Sequence, residues 1–291
     1  MDKYLVILFL VILLLLRCKN IKEIFYDNKV NNIWMYWENL PGKKKYSYLN
    51  LCQKTIIKNC SKNFKINLLN EKNIYEYIPD LRKDIDYKMN IQQKVDYIRY
   101  ILLYKYGGIW IDSDTIVIND LMPIINKLEK YDFVGFGYHS FKKQKDLSCN
   151  GKPYPANWVM GARKNSKLMK LCIEKCNKLL DSDTNLKNKY HLLGRETLWS
   201  EIDYLLKNDK SWDYYHYDSK CIERDSKNNK YFNDRSISNE DIDKVCEDKL
   251  LFFPIYNSNP GFPDWFRNMD EDSLLKSNML ISKIFRKSLN S

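Results

Sequence analysis

The chain of 291 residues is poor in the residues from which most metal and nucleophile sites are built. It has three histidines, and none of its eight cysteines stands in a C-x-x-C pair, which removes the usual structural zinc frameworks. The patterns G-x-x-x-x-G-K-[ST], G-x-S-x-G and H-E-x-x-H are all missing, so the phosphate-loop, nucleophile-elbow and zincin enzyme classes are excluded. The net charge is +11, yet the lysines are scattered and no zinc-finger or RNA-binding signature accompanies them. The basic surface therefore reads as solvated, with no nucleic-acid partner. No internal repeat is present. The longest apolar run, Tyr4 to Leu16, gives about 20 Å of helix against roughly 30 Å of hydrocarbon core. No small-residue cleavage site follows it, only Arg17, Cys18 and Lys19. The expectation is an uncleaved signal anchor over residues 1–19 and a polar stem over 20–31. That implies a single-pass protein, in a Golgi- or ER-type membrane if eukaryotic and in the cytoplasmic membrane if bacterial. Arg17, Lys19 and Lys22 outweigh Lys3 and place the rest of the chain in the cytoplasm by the positive-inside rule. The sequon Asn59-Cys60-Ser61 and the cysteines point the other way. An odd number of cysteines beyond the anchor leaves the redox compartment open.

What is present centres on residues 90–119, which read NIQQKVDYIRYILLYKYGGIWIDSDTIVIN. Ile91, Val95, Ile98, Leu102 and Tyr106 recur at three- and four-residue steps, the pattern of an amphipathic helix. Gly107 and Gly108 end that helix, because glycine takes a left-handed cap cheaply. Ile109, Trp110 and Ile111 then predict a strand buried on both faces. Asp112 and Asp114 stand where that strand ends, and ligands of open α/β sheets bind outside the carboxyl ends of strands. Two carboxylates at that place suit a divalent cation with hard oxygen ligands. Asp96 and Arg99, three residues apart, share one face of the helix. Elsewhere strands are expected at 32–37, 64–69, 133–138, 157–162, 212–217 and 250–255. Helices are expected at 48–60, 121–130, 166–180 and 195–207. This alternation predicts an α/β sheet.

The run KVDYIRYILLYKYGGIWIDSD, from Lys94 to Asp114, resembles the signature of DXD-containing glycosyltransferases. Capsular-polysaccharide-synthesis proteins are the nearest relatives, followed by yeast-type α-1,6-mannosyltransferases and the large clostridial glucosylating toxins. The resemblance is close over 90–119 and looser from Ile33 to Lys170. It implies a GT-A-like, Rossmann-like nucleotide-sugar-binding fold with a mixed central sheet, the catalytic domain spanning 32–270. It also implies a hexosyltransferase of polysaccharide biosynthesis that uses Mn²⁺ or Mg²⁺ and a UDP-sugar or GDP-sugar, and retains the anomeric configuration. The acceptor would be a glycan, glycoprotein or glycolipid. Asp112 and Asp114 would hold the metal and the donor diphosphate. Asp96 and Arg99 would hold sugar hydroxyls and phosphate, Trp37 would lie against the base, and Asn157 would sit near the sugar. Glu196 is the further catalytic candidate, although Gly194-Arg195 stands where the family often has Gly-Pro. His216 is the candidate third metal ligand, with Asn257-Ser258-Asn259 as the other. The competing readings are a non-catalytic carbohydrate-binding or scaffold protein on the same fold, and a D-x-D phosphotransferase. Thr115 directly follows Asp114, which departs from the D-x-D-x-T spacing of the latter. Finally, Leu274, Leu275, Ile281, Ile284, Phe285 and Leu289 form a helical stripe in residues 271–291, flanked by Lys276, Lys283, Arg286 and Lys287. Such a helix either packs on the domain or lies on anionic lipid.

Overall fold

The computed structural model describes residues 31–39, 45–136, 147–182, 186–217, 252–255, 257 and 262–290. The expected anchor, nearly all of the stem, Ser258 and Asn259 lie outside these residues. Among the described residues no helix is long and apolar enough to cross a membrane. Cys52, Cys60, Cys149, Cys172 and Cys176 are free thiols.

The strands in chain order are β1 (Asn31–Tyr36), β2 (Phe64–Leu69), β3 (Gly108–Ile111), β4 (Thr115–Val117), β5 (Phe133–Phe136), β6 (Ala156–Ala162), β7 (Tyr214–Tyr217) and β8 (Phe252–Pro254). The main helices are α1 (Ser47–Cys60), α2 (Ile91–Tyr106), α3 (Met122–Leu128), α4 (Lys167–Ser182), α5 (Thr197–Asn208), α6 (Glu271–Lys276) and α7 (Leu280–Asn290). A central sheet has the order β2-β1-β3-β6-β5-β7, and β4 pairs with β8 in a separate two-stranded ladder. β1 is parallel to β3, and β5 to β7, while β6 runs antiparallel to both β3 and β5. It follows that β1, β3, β5 and β7 share one direction and end at one edge, and the reversed β6 begins there. The sheet is mixed, as expected.

Period-two alternation explains the two faces. Ile33, Met35, Ile109 and Ile111 pack with Ile56 of α1 and with Ile124 and Leu128 of α3. Trp34, Tyr36 and Trp110 pack on the other face with Ile98 and Leu102 of α2, Leu168 and Cys172 of α4, and Ile202 of α5. Ile109, Trp110 and Ile111 are all fully buried, as their uniform apolarity predicts.

Two expectations change, on the single C-terminal helix and on the sequon, and the C-terminal stripe packs on the domain rather than on lipid. Residues 271–290 form two helices rather than one, broken by Ser277 and Asn278. Their apolar stripe is not a lipid face: Leu280, Ile281, Ile284 and Phe285 are fully buried against Leu49 and Cys52 of α1 and Ile116 of β4. The segment therefore belongs to the same body as 32–270. The sequon residue Asn59 is also occupied, since its Nδ2 donates to Thr55 O, Val117 O and Ser288 Oγ, tying α1, β4 and α7 together. A glycan attached at that nitrogen would break these bonds.

Because Phe285 fills a sealed core, Phe285→Ala should lower stability by about 3–5 kcal/mol in urea unfolding. A loss below about 1 kcal/mol, the range of surface substitutions, would take α7 out of the core.

Candidate active site

Helix α2 starts with a reciprocal cap. Asn90 Oδ1 accepts from Gln93 N at 2.9 Å, and Gln93 Oε1 accepts from Asn90 N at 3.1 Å. It stops at Gly107 and Gly108, whose φ values are +69° and +102°. A Cβ on Gly108 would collide with the Asn32 carbonyl, so the close approach of β1 as well as the backbone angle demands glycine. The chain then turns back as β3. From Arg99 to Gly107 the helix climbs about 12 Å, and from Gly108 to Asp112 the strand returns about 13 Å. These matched paths set Arg99 opposite Asp112.

Arg99 Nη2 lies 3.2 Å from Asp112 Oδ1 and 3.1 Å from Asp96 Oδ1. Its Nη1 donates to the Asn157 carbonyl at the start of β6. Asn157 Nδ2 donates to Asp96 Oδ1 at 2.8 Å. The guanidinium lies 5.1 Å from the Trp110 ring centre, and Trp110 Nε1 donates to Asp112 Oδ1 at 2.7 Å. Arg99 is only 4% exposed, and both terminal nitrogens have partners inside the protein. Its Nε, by contrast, is buried without a hydrogen-bond partner among the described residues.

Asp114 is fixed from the far side of the turn. Its Oδ2 accepts from Asn257 N at 3.0 Å, and its carbonyl accepts from Ile255 N. Asn257 Nδ2 donates to Tyr48 Oη, while Ser113 Oγ donates to the Tyr36 carbonyl at 3.0 Å and ties the turn to the end of β1.

The charges do not balance. Asp96, Asp112 and Asp114 carry −3 when ionised and Arg99 carries +1, which leaves −2. Burial pushes the Asp96 carboxyl up to about 7 against the pull of Arg99. Burial raises Asp112 as well. Burial, and then the Asp112 charge, push Asp114 up to about 6. A divalent cation would offset the remaining charge. The donor set fits one: no side chain among the described residues donates to Asp112 Oδ2 or Asp114 Oδ1. Among those residues no group of three or more histidine, cysteine or acidic side chains is placed to hold a metal. The protein thus offers two carboxylates, which suits an ion that keeps water and phosphate oxygens as its other ligands.

The other candidates divide. Asn157 joins the cluster. Trp34 is buried and donates to the Gly107 carbonyl, whereas Trp37, just past β1, walls a cavity of about 250 Å³ with Asn39, Lys45 and Glu71. His216 pairs with Gly135 on β7, three strands from β3, or about 14 Å. It does not reach Asp112, and Asn257 takes the place beside Asp114 instead. Glu196 is exposed, and the structure gives it no contact with the acids. The nearby residue that does meet them is Gly194, in a π-helical turn over Leu192–Glu196. A Cβ there would strike Asp96 Oδ2 and lie 2.6 Å from Asn157 Nδ2, and its carbonyl accepts from Tyr100 Oη at 2.8 Å. Gly194 entered the sequence reading only as the neighbour of Arg195 and Glu196, and Tyr48 was not visible there. Trp110 was, as the one indole N–H two residues from Asp112, but it read as core alone.

Two outcomes follow. Gly194→Ala should displace Asp96 and reduce activity at least about tenfold, about 1.4 kcal/mol in the barrier, with circular dichroism unchanged. Full activity in that variant would show that the contact yields. The second outcome concerns pH. Unfolded carboxylates titrate near 3.9, so the folded chain binds more protons from about pH 4 to about 7, and stability falls as pH rises through that window. With chelator present, Asp114→Asn should gain thermal stability over wild type as pH rises from about 4 to above 6, by at most about 3 kcal/mol. An offset independent of pH would overturn the shift assigned to Asp114.

A family model described as capsular polysaccharide synthesis protein matches residues 16–247. No curated protein matches the chain. Among solved structures, the PaToxG glycosyltransferase is 13% identical with a TM-score of 0.39, over 62% of this chain and 72% of that one. The glycosyltransferase GlyE of Streptococcus pneumoniae is 15% identical with a TM-score of 0.40, over 90% of this chain and 64% of its own. The galactosyltransferase LgtC, solved with donor and acceptor sugar analogues, is 16% identical with a TM-score of 0.34, over 52% of this chain and 66% of that one. With most of its length covered by the family model, the chain belongs to the capsular polysaccharide synthesis protein family.

Proposed function

We propose that the chain is a metal-dependent glycosyltransferase of GT-A type, moving a sugar from a nucleotide sugar to a glycan or other acceptor. The observation that carries this is the uncompensated acid pair Asp112 and Asp114 at the carboxyl edge of the sheet, tied through Ser113 to the end of β1. Asp112 and Asp114 would hold Mn²⁺ or Mg²⁺. A cation bound there supplies Lewis-acid stabilisation to the diphosphate that leaves when the sugar–phosphate bond breaks.

The chain's own residues perform the positioning. Trp110 and Arg99 both hold Asp112 Oδ1, which leaves Oδ2 turned to its other side. The Asn257 N–H and the β4–β8 ladder hold Asp114. Asp96, gripped by Asn157 and Arg99, presents its second oxygen next to Gly194, where a donor-sugar hydroxyl would find an acceptor. The apolar run from Tyr4 to Leu16 would keep the enzyme at a membrane, near glycan or glycolipid acceptors.

Purified protein incubated with a panel of nucleotide sugars and Mn²⁺ should release free nucleoside diphosphate, and EDTA should stop it. Asp112→Asn should lower turnover by about 10²-fold or more, the scale for losing a group aimed at developing charge. Arg99→Lys keeps the charge and loses the fork. It should weaken Mn²⁺ binding, read by calorimetry, while the fold survives. Undiminished turnover in EDTA, or in Asp112→Asn, would overturn the metal assignment.

A further inference from the structure

The cavity beside Trp37 carries the reading one step further, to the base of the nucleotide. At about 250 Å³ it is smaller than the roughly 300–1,000 Å³ of sites that hold a whole drug-sized ligand. It has room for one ring system. It opens one residue past Tyr36, whose carbonyl accepts from Ser113 in the acid turn, so a nucleotide bound there would run from cavity to acids. Trp37 offers a flat aromatic wall, and its indole N–H is already given to Asn39 Oδ1 at 3.1 Å. Lys45 is likewise engaged, donating to Gln53 Oε1 at 2.8 Å.

Glu71, on the cavity wall, is different. No hydrogen bond or ion pair reaches its carboxylate among the described residues, and Oε2 is shut off from solvent. A carboxylate oxygen buried without a donor is unfavourable, and a ligand that brings donors relieves it. The last torsion of glutamate is soft, so both oxygens can turn to the cavity. A carboxylate is a two-pronged acceptor, and it matches a partner with two adjacent N–H donors. Guanine has that pair on one edge, N1–H beside the N2 amino group. Uracil has a single N3–H flanked by two carbonyls, one of which would face the second carboxylate oxygen. Adenine and cytosine place their amino group beside an acceptor nitrogen. We propose that Glu71 reads the N1–H and N2 amino edge of a guanine stacked on Trp37, so that the donor is a guanosine-diphosphate sugar.

This rests on the nucleotide-sugar reading, and the test separates the two. Binding of GDP and of UDP, each with Mn²⁺, is measured by calorimetry on the whole chain and on Glu71→Gln, with thermal melting to check the fold. GDP should bind at least about tenfold more tightly than UDP, and Glu71→Gln should weaken GDP about tenfold or more, the scale of a charge-assisted hydrogen bond lost. UDP affinity should not fall in the variant. If UDP binds as tightly as GDP, or if Glu71→Gln leaves GDP affinity intact, the guanine assignment fails while the nucleotide-sugar reading stands. If neither nucleotide binds, both fail together.

Discussion

A guanidinium buried among apolar side chains has to be neutralised within a few ångströms, and here that demand fixes three elements at once. Arg99 comes from α2, Asp112 from the end of β3, and the Asn157 carbonyl from the start of β6. A slide of any of the three would cost Arg99 a partner and leave it with Asp96 of its own helix. The glycine pair belongs to the same constraint. A side chain at Gly108 would push β3 off β1, and Asp112 would leave the reach of Arg99. The motif is thus a length-matched hairpin of helix and strand closed by a shared ion, and its order in the sequence is its geometry.

That is why this part was legible. Helix period, glycine stop, apolar strand and acid turn are local, and each is written in adjacent residues. What the sequence did not contain was the order of the strands. His216 drew notice because histidines are scarce, but β5 and β6 lie between β7 and β3. Asn257 reaches Asp114 only because β8 pairs with β4 outside the main sheet. Gly194 meets Asp96 at a kink just ahead of α5, where its own backbone is not helical.

The C-terminal helices show a second limit. A stripe of leucine, isoleucine and phenylalanine flanked by lysines satisfies a lipid surface and a protein core equally. The choice depends on what lies opposite, and opposite lies α1 with Leu49 and Cys52 turned outward from the sheet. Asn59 makes the same point at one residue. Its sequon is complete in sequence, and its amide is spent on three elements of the fold.

The electrostatics work at two ranges. The chain carries +11 overall, a field that gathers anions but is screened beyond about 8 Å at physiological salt. Within that distance the cluster of Asp96, Asp112, Asp114 and Arg99 carries −2 when its acids are ionised. Under the proposed function the acid end would hold a diphosphate through its cation. It cannot tell one nucleotide from another, because the diphosphates of all nucleosides are alike. Discrimination among donors has to come from the base and the sugar. Under the proposed function, Glu71 in the Trp37 cavity would meet the base, and the second oxygen of Asp96, whose first is held by Asn157 and Arg99, would meet the sugar.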